Sequence, residues 1–99
     1  MRRGSTPTFC FRLPEKASFF SEIDIIFVQN GKEILQVDKS RLTEEDQEVS
    51  FTMTVEESLS FAPSLTAELQ LRLVDTEGNV WISEIRTFTV RKKYPEDRV

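Results

Sequence analysis

The segment from Leu65 to Leu73 alternates strictly between apolar and polar residues, and this alternation limits the folds open to the chain. A repeat of two residues matches a β-strand, whose side chains point to opposite faces in turn, and does not match the 3.6-residue repeat of a helix. The segment therefore predicts a half-buried strand whose apolar face the rest of the chain has to cover. The apolar members are Leu65, Ala67, Leu69, Leu71 and Leu73.

Most other patterned segments also predict strands, because they alternate or are rich in β-branched and aromatic residues. Asn30-Gly31 predicts a type I′ hairpin turn, since both central positions of that turn need positive φ. In the last segment the alternation changes phase near Glu84, which predicts a β-bulge or a switch between sheets. The segments are Thr8–Leu13, Ile23–Gln29, Lys32–Val37, Glu48–Thr54 and Val80–Val90.

Short polar connections separate these strands. The acidic segment Asp38–Asp46 predicts a loop, and Asp75–Asn79 predicts a turn. Thr54 and Glu57 have the spacing of a capping box, in which each side chain bonds to the backbone of the other residue. We therefore expect one helical turn from Thr54 through Ser60.

Six strands joined by short connections predict an all-β protein with antiparallel sheets, since parallel strands need crossovers of a dozen residues or more. An immunoglobulin-like β-sandwich with one short helical turn buries the apolar faces most economically. A small closed barrel is the alternative. The length of 99 residues allows one domain, which we expect to span 1–99 with flexible ends at about 1–5 and 92–99.

Composition excludes several classes of function. Asp and Glu number 17 against 13 Lys and Arg, and the net charge of -4 argues against a nucleic-acid binder. The longest apolar run, Ile25–Val28, is too short to span a membrane, and the first residues lack the apolar stretch of a signal peptide. The single cysteine, Cys10, cannot form an internal disulfide. We therefore expect synthesis in the bacterial cytoplasm, with a virion as a further location.

The sequence offers little for catalysis or metal binding. It has no histidine, which is the commonest general base and metal ligand. The acids of Glu44–Glu48 and Glu56–Glu57 fall in a predicted loop and an exposed turn, where acidic side chains are usually solvated. We therefore expect no enzyme, no cofactor and no metal, and we interpret Cys10 as a small buried apolar residue.

Four residues are candidates for contact with a partner. Trp81 begins the last strand beside a turn, where it is either an exposed anchor for a partner or a cover over the core. Lys32 and Glu33 begin a strand that we interpret as a charge-protected sheet edge, whereas an open edge could accept a partner's strand. Tyr94 lies in a basic tail after Arg91, which is either solvated or able to meet an acidic surface or phosphate.

The chain also resembles a known family along nearly its whole length. The motifs that carry the resemblance are Arg2–Thr8, Phe27–Gly31, Thr54–Leu59 and Glu68–Arg72. They resemble small prophage proteins encoded among the structural genes of phages that infect Gram-positive bacteria, a family similar to the N-terminal immunoglobulin-like domain of phage baseplate upper proteins. The resemblance implies a non-enzymatic tail or baseplate assembly module that contacts phage structural proteins or itself, with an oligomer as an option. It implies no functional residue.

Two other functions stay open at this point. A carbohydrate-binding module for attachment to the host cell wall predicts a solvent-facing Trp81 or Tyr94. A small regulatory protein that binds one host target is compatible with the same residues. Neither function involves nucleic acid or a membrane.

Overall fold

Two antiparallel β-sheets pack against each other in the computed structural model, which describes residues 1–92. Residues 93–99, with the candidate Tyr94 and most of the predicted flexible C-terminal end, lie outside the described residues. The helices are α1 (Val55–Leu59) and two 3₁₀ helices, Ala17–Phe19 and Lys39–Arg41. The strands are β1 (Thr8–Arg12), β2 (Phe20–Gln29), β3 (Lys32–Val37), β4 (Thr43–Glu45), β5 (Glu48–Thr52), β6 (Thr66–Asp75), β7 (Val80–Ile82) and β8 (Arg86–Thr89).

The smaller sheet has the order β1-β5-β4, and the larger sheet has the order β3-β2-β6-β7 with β8 also paired to β6. Every pairing between these strands is antiparallel. The predicted all-β, antiparallel, immunoglobulin-like sandwich with a short helical turn is therefore confirmed, with eight strands in the described residues rather than about six.

The core lies between the inner faces of the two sheets, and phenylalanine rings occupy its centre. Phe27 on β2 is fully buried, and rings of both sheets surround it. The alternation of β6 is confirmed, because its apolar side chains from Ala67 to Leu73 are buried, although Leu65 precedes the strand and is exposed. The rings in contact with Phe27 are those of Phe9, Phe51, Phe61 and Phe88.

The two local motifs form as predicted. Asn30 and Gly31 have φ angles of 53° and 75°, as the β2–β3 hairpin requires. The Thr54 hydroxyl accepts from the Glu57 N–H, and the Glu57 carboxylate accepts from the Thr54 N–H, so the capping box begins α1. Among residues 1–92, no helix is long and apolar enough to cross a membrane.

One prediction about a connection and one about burial change. Asp38–Asp46 is not only a loop, because β4 lies within it and pairs with β5. All three side chains of β4 are exposed and polar. The sequence therefore shows no alternation of apolar and polar residues that would have predicted this edge strand. Cys10 is exposed rather than buried, because it lies on β1 between Phe9 and Phe11 and points away from the core that they face.

Candidate functional site

The strand β7, at the edge of the larger sheet, exposes all three of its side chains, which are apolar. Val80, Trp81 and Ile82 pair with β6 on one side, and no described strand pairs with β7 on the other. Ile82 is 64% exposed, the largest value among the exposed large apolar side chains of residues 1–92. Exposed apolar groups on an unpaired sheet edge are unusual, because such an edge is a template for pairing with another chain.

Trp81 combines the two positions that its sequence context allowed. Its ring contacts Phe20 edge-on at 5.7 Å and Phe19 at 6.3 Å between ring centroids, so it covers the end of the core. Its Nε1–H donates to Asp75 Oδ2 at 3.1 Å, while 36% of the residue stays exposed. A large aromatic side chain held in one orientation is a rigid contact surface with little conformational entropy to lose.

Asp75 holds the turn that leads into β7. Its carboxylate accepts from the backbone N–H groups of Glu77 and Asn79, from the Asn79 amide and from Trp81, and the residue is only 3% exposed. Burial acts to raise the pKa of Asp75, but the hydrogen bonds from Asn79, Trp81 and Glu77 outweigh it and hold the pKa below its ordinary value. The charged form of Asp75 therefore positions both the turn and the Trp81 ring.

A bulge between β7 and β8 turns a further apolar side chain outward. Arg72 of β6 faces Ile82, and Leu69 faces Arg86, so the two intervening residues of β6 face the three residues Ser83–Ile85. The predicted change of phase near Glu84 is therefore a one-residue bulge within one sheet. Ser83 fixes it, because its N–H donates to the Leu71 carbonyl at 3.0 Å and its hydroxyl accepts from the Leu71 N–H at 2.9 Å.

Ile85 consequently lies on the outer face of the larger sheet and is exposed. Together with Ile26, Val28, Glu68, Leu69 and Gln70 it lines a shallow groove of ≈ 120 Å³. We call Val80, Trp81, Ile82 and Ile85 the edge patch. Only Trp81 was a sequence candidate, because the predicted single strand Val80–Val90 hid the break that exposes Ile82 and Ile85. The change of phase near Glu84 was the signal that could have revealed them.

The other candidates do not join the edge patch. Lys32 and Glu33 are exposed at the start of β3, which is the opposite edge of the same sheet. The β2–β3 pairing there shifts register between Phe27 and Val28, which further distorts this edge. Among residues 1–92, no group of three or more His, Cys, Asp or Glu is placed to hold a metal ion.

Three of the acidic residues that the sequence singled out lie close to basic groups, and one of them, Glu48, is 3.9 Å from the Arg12 guanidinium. Arg41 Nη1 and Nη2 each donate to one carboxylate oxygen of Glu57 at 3.0 Å, and this pair of hydrogen bonds joins the β3–β4 connection to α1. These hydrogen bonds, opposed by burial and assisted by the Thr54 backbone, hold the pKa of Glu57 below its ordinary value. Lys39 Nζ approaches Glu44 at 3.8 Å. These contacts fasten surface segments to one another.

Fold and surface together define an antiparallel β-sandwich with one unprotected apolar edge. No family model matches the sequence, and no curated protein matches it significantly. Among solved structures, the fold is similar to that of CopC from Methylosinus trichosporium OB3b, with a TM-score of 0.57 and 12% sequence identity. The similarity covers 92% of this chain and 82% of CopC. At this identity the likeness concerns the fold.

This comparison corrects the predicted function. The expectation of a phage tail or baseplate assembly module is wrong, since the fold is similar to that of CopC and nothing in the comparisons indicates a phage structural domain. The alternative of a module for attachment to the host cell wall depended on the same phage setting and is withdrawn with it. The physical reason is that the resemblance rested on a turn, a helix cap and a strand pattern. Such motifs specify a β-sandwich, which serves many unrelated functions.

Proposed function

We propose that the protein is a non-enzymatic interaction domain that pairs with a second copy of itself through the edge patch. The observation that carries the proposal is the exposed, uncharged strand β7 at the end of the larger sheet. Burying apolar side chains against another copy removes them from water and stabilises the pair. The sequence contains no histidine that could serve as a general base, which favours binding over catalysis.

The backbone of β7 is oriented for this pairing. The Ser83 N–H bonds to β6 through the Leu71 carbonyl. Backbone groups of an antiparallel strand alternate in direction, so those of Trp81, two residues earlier, also face β6. The N–H and C=O groups of Val80 and Ile82 consequently point to the open side of the sheet.

A two-fold pairing centred on Trp81 uses all of these groups. In that register Val80 of one copy faces Ile82 of the other, and the reverse, which gives two hydrogen-bonded pairs and about four backbone hydrogen bonds. Both facing pairs are apolar, and they lie on the outer face of the combined sheet. The contact is self-complementary, as a closed two-fold dimer requires.

The small size of the edge patch sets the strength of the contact. A stable interface buries about 800 Å² on each partner. Three residues of β7 and the nearby Ile85 provide less than this, so we expect a dissociation constant of about 10–1000 μM. A dimer of this strength forms where the local concentration of the protein is high.

Sedimentation equilibrium over a concentration series tests the proposal. We expect a monomer–dimer equilibrium for the natural sequence and a dimer at least about tenfold weaker for Ile82→Lys, because lysine removes the apolar member of each facing pair and discourages pairing at a sheet edge. The matched control is Val55→Lys, which places the same charge on an apolar residue that is 45% exposed and lies on α1, outside the larger sheet. A natural protein that stays monomeric at about 1 mM, or equal effects of the two variants, would contradict the proposal.

Disulfide trapping tests the register. In a Cys10→Ser background, Val80→Cys and Ile82→Cys chains are mixed and oxidised. The facing Cα atoms of a hydrogen-bonded pair are about 5.5 Å apart, which is within the range that a disulfide spans. We expect the mixed dimer to form faster than a disulfide between two copies of either variant. Equal rates for all three products would exclude pairing about Trp81.

A further inference from the structure

A second feature lies where the N-terminal residues meet the end of β8. Arg2 and Arg91 form a parallel bridge, in which the Arg91 N–H donates to the Met1 carbonyl and the Arg3 N–H donates to the Arg91 carbonyl. Beside this bridge is an open cleft of ≈ 390 Å³. It is lined by Arg2, Ser64, Thr89, Val90, Arg91 and Lys92.

The described residues that line this cleft carry charges of one sign, although the protein carries a net charge of -4. Among residues 1–92, its lining contains the basic residues Arg2, Arg91 and Lys92 and no acidic residue. Within residues 1–92, Arg2 and Arg91 form no ion pair with a carboxylate, whereas Arg12, Arg41 and Arg72 each lie within 4.0 Å of one. Arg2 and Arg91 therefore bring to the cleft positive charge that no carboxylate of residues 1–92 neutralises in an ion pair.

The local electrostatics agree with this arrangement. Burial, followed by the charges of Arg91 and Arg2, holds the pKa of the Met1 amino group below its ordinary value. The Arg2 side chain is also held in place, because its Nη1 donates to the Lys92 carbonyl at 2.7 Å. One of its guanidinium nitrogens is thereby fixed while the side chain stays exposed to solvent.

We propose that this cleft binds an oxyanion through the guanidinium groups of Arg2 and Arg91, with the hydroxyls of Ser64 and Thr89 at its wall. A planar guanidinium presents paired donors that match either a phosphate or a carboxylate group. The volume of ≈ 390 Å³ lies in the range of small-molecule pockets and exceeds what one phosphate needs. The cleft therefore has room for a multivalent oxyanion, such as a diphosphate or a tricarboxylate, whose several oxygens could accept from both guanidinium groups.

This site is independent of the edge patch. It is built from the first residues and the end of β8, whereas the edge patch is built from β7 and the bulge that precedes β8. Because its charged groups are exposed, binding depends strongly on ionic strength, which screens exposed charges beyond about 10 Å at 0.1 M salt.

Isothermal titration calorimetry at low ionic strength, with pyrophosphate and with citrate as separate probes, tests the proposal on the full chain. We expect saturable binding of at least one probe, and at least about tenfold weaker binding to the double variant Arg2→Gln/Arg91→Gln. Binding of pyrophosphate alone identifies a phosphate ligand, and binding of citrate alone identifies a carboxylate ligand. Binding of both supports recognition of the shared oxyanion chemistry.

The matched control is Arg12→Gln, which removes an exposed arginine on β1 that lies 3.9 Å from Glu48. It should leave the affinity unchanged. The single variant Arg91→Gln should also weaken binding. It should fold even where the double variant folds poorly, because the bridge between Arg2 and Arg91 uses only backbone atoms of Arg91. No binding of either probe at about 10 mM, or an equal loss in Arg12→Gln, would overturn the proposal.

Discussion

The two edges of the larger sheet are built in opposite ways. The β3 edge begins with the exposed charges of Lys32 and Glu33 and contains a register shift, both of which discourage pairing with another chain. The β7 edge has neither a charge nor a proline within the strand, and all three of its side chains are apolar and exposed. The difference shows that the fold does not require an apolar edge, since charged residues and a register shift protect the β3 edge of the same sheet.

Length separates the two edges as well. The strand β3 has six residues, whereas the bulge divides the opposite edge into β7, with three residues, and β8, with four. A short edge strand limits uncontrolled growth of a sheet, because few backbone groups are available for pairing. The strand β7 therefore combines an apolar surface with a length that restricts it to a small, defined contact, which agrees with a weak two-fold pair.

The largest effect on this comparison is expected for Trp81→Ala. The substitution removes the cover over Phe19 and Phe20 and one hydrogen bond to Asp75, and we expect a loss of about 2–3 kcal/mol in the free energy of unfolding. On the β3 edge, Lys32→Ala should change it by less than about 0.5 kcal/mol. Urea unfolding measures both. Similar losses in the two variants would show that the edges do not differ in their connection to the core.

The sequence alone predicts much of the structure of the β3 edge. The Asn30-Gly31 hairpin follows from local backbone preferences, and the charges of Lys32 and Glu33 identify β3 as a protected edge. The division of the predicted strand Val80–Val90 into β7 and β8 could not be predicted from the sequence in the same way. The sequence shows only a change of phase near Glu84, because the bulge depends on hydrogen bonds between Ser83 and Leu71 of another strand.

The position of Trp81 depends on contacts that are distant in the sequence. Its ring packs on Phe19 and Phe20, which belong to a 3₁₀ helix and to β2. No local pattern links these residues, so the sequence could name Trp81 as a candidate without deciding between anchor and cover. Function was harder still, since every motif that carried the family resemblance is a feature of backbone structure.

A smaller effect is expected at the turns that lead into the two edges. Gly31 and Gly78 have φ angles of 75° and 89°, which residues with a side chain rarely adopt. A Cβ at either position would meet no atom within 4 Å. Each Gly→Ala substitution should therefore cost about 1 kcal/mol through backbone strain alone. We further expect Gly78→Ala to weaken the dimer and Gly31→Ala to leave it unchanged, as measured by sedimentation. If both substitutions changed the dissociation constant of the dimer equally, the dimer contact would not involve β7.

A further test uses pH. Because the folded-state pKa of Asp75 lies below its ordinary value, its charged form stabilises the fold above about pH 4, and this contribution is lost as pH falls through the lowered pKa. In Asp75→Asn the contribution is absent at every pH. The difference in unfolding free energy between the natural protein and Asp75→Asn should therefore shrink as the solution is acidified below about pH 4. A difference that is constant with pH would show that the Asp75 charge does not hold the turn before β7.

The smallest effect on stability, and the most direct test of the comparison, comes from removing the charges of the β3 edge. Lys32→Thr/Glu33→Val places a neutral and an apolar side chain at exposed positions, so we expect a change of less than about 0.5 kcal/mol in unfolding free energy. If charge protects this edge, the double variant should gain association that remains when Ile82→Lys disables β7, because the new contact uses the opposite side of the sheet. Sedimentation of the combined variant measures this directly. A monomer would mean that the register shift between Phe27 and Val28 alone protects β3, and that the absence of charge is not what opens β7.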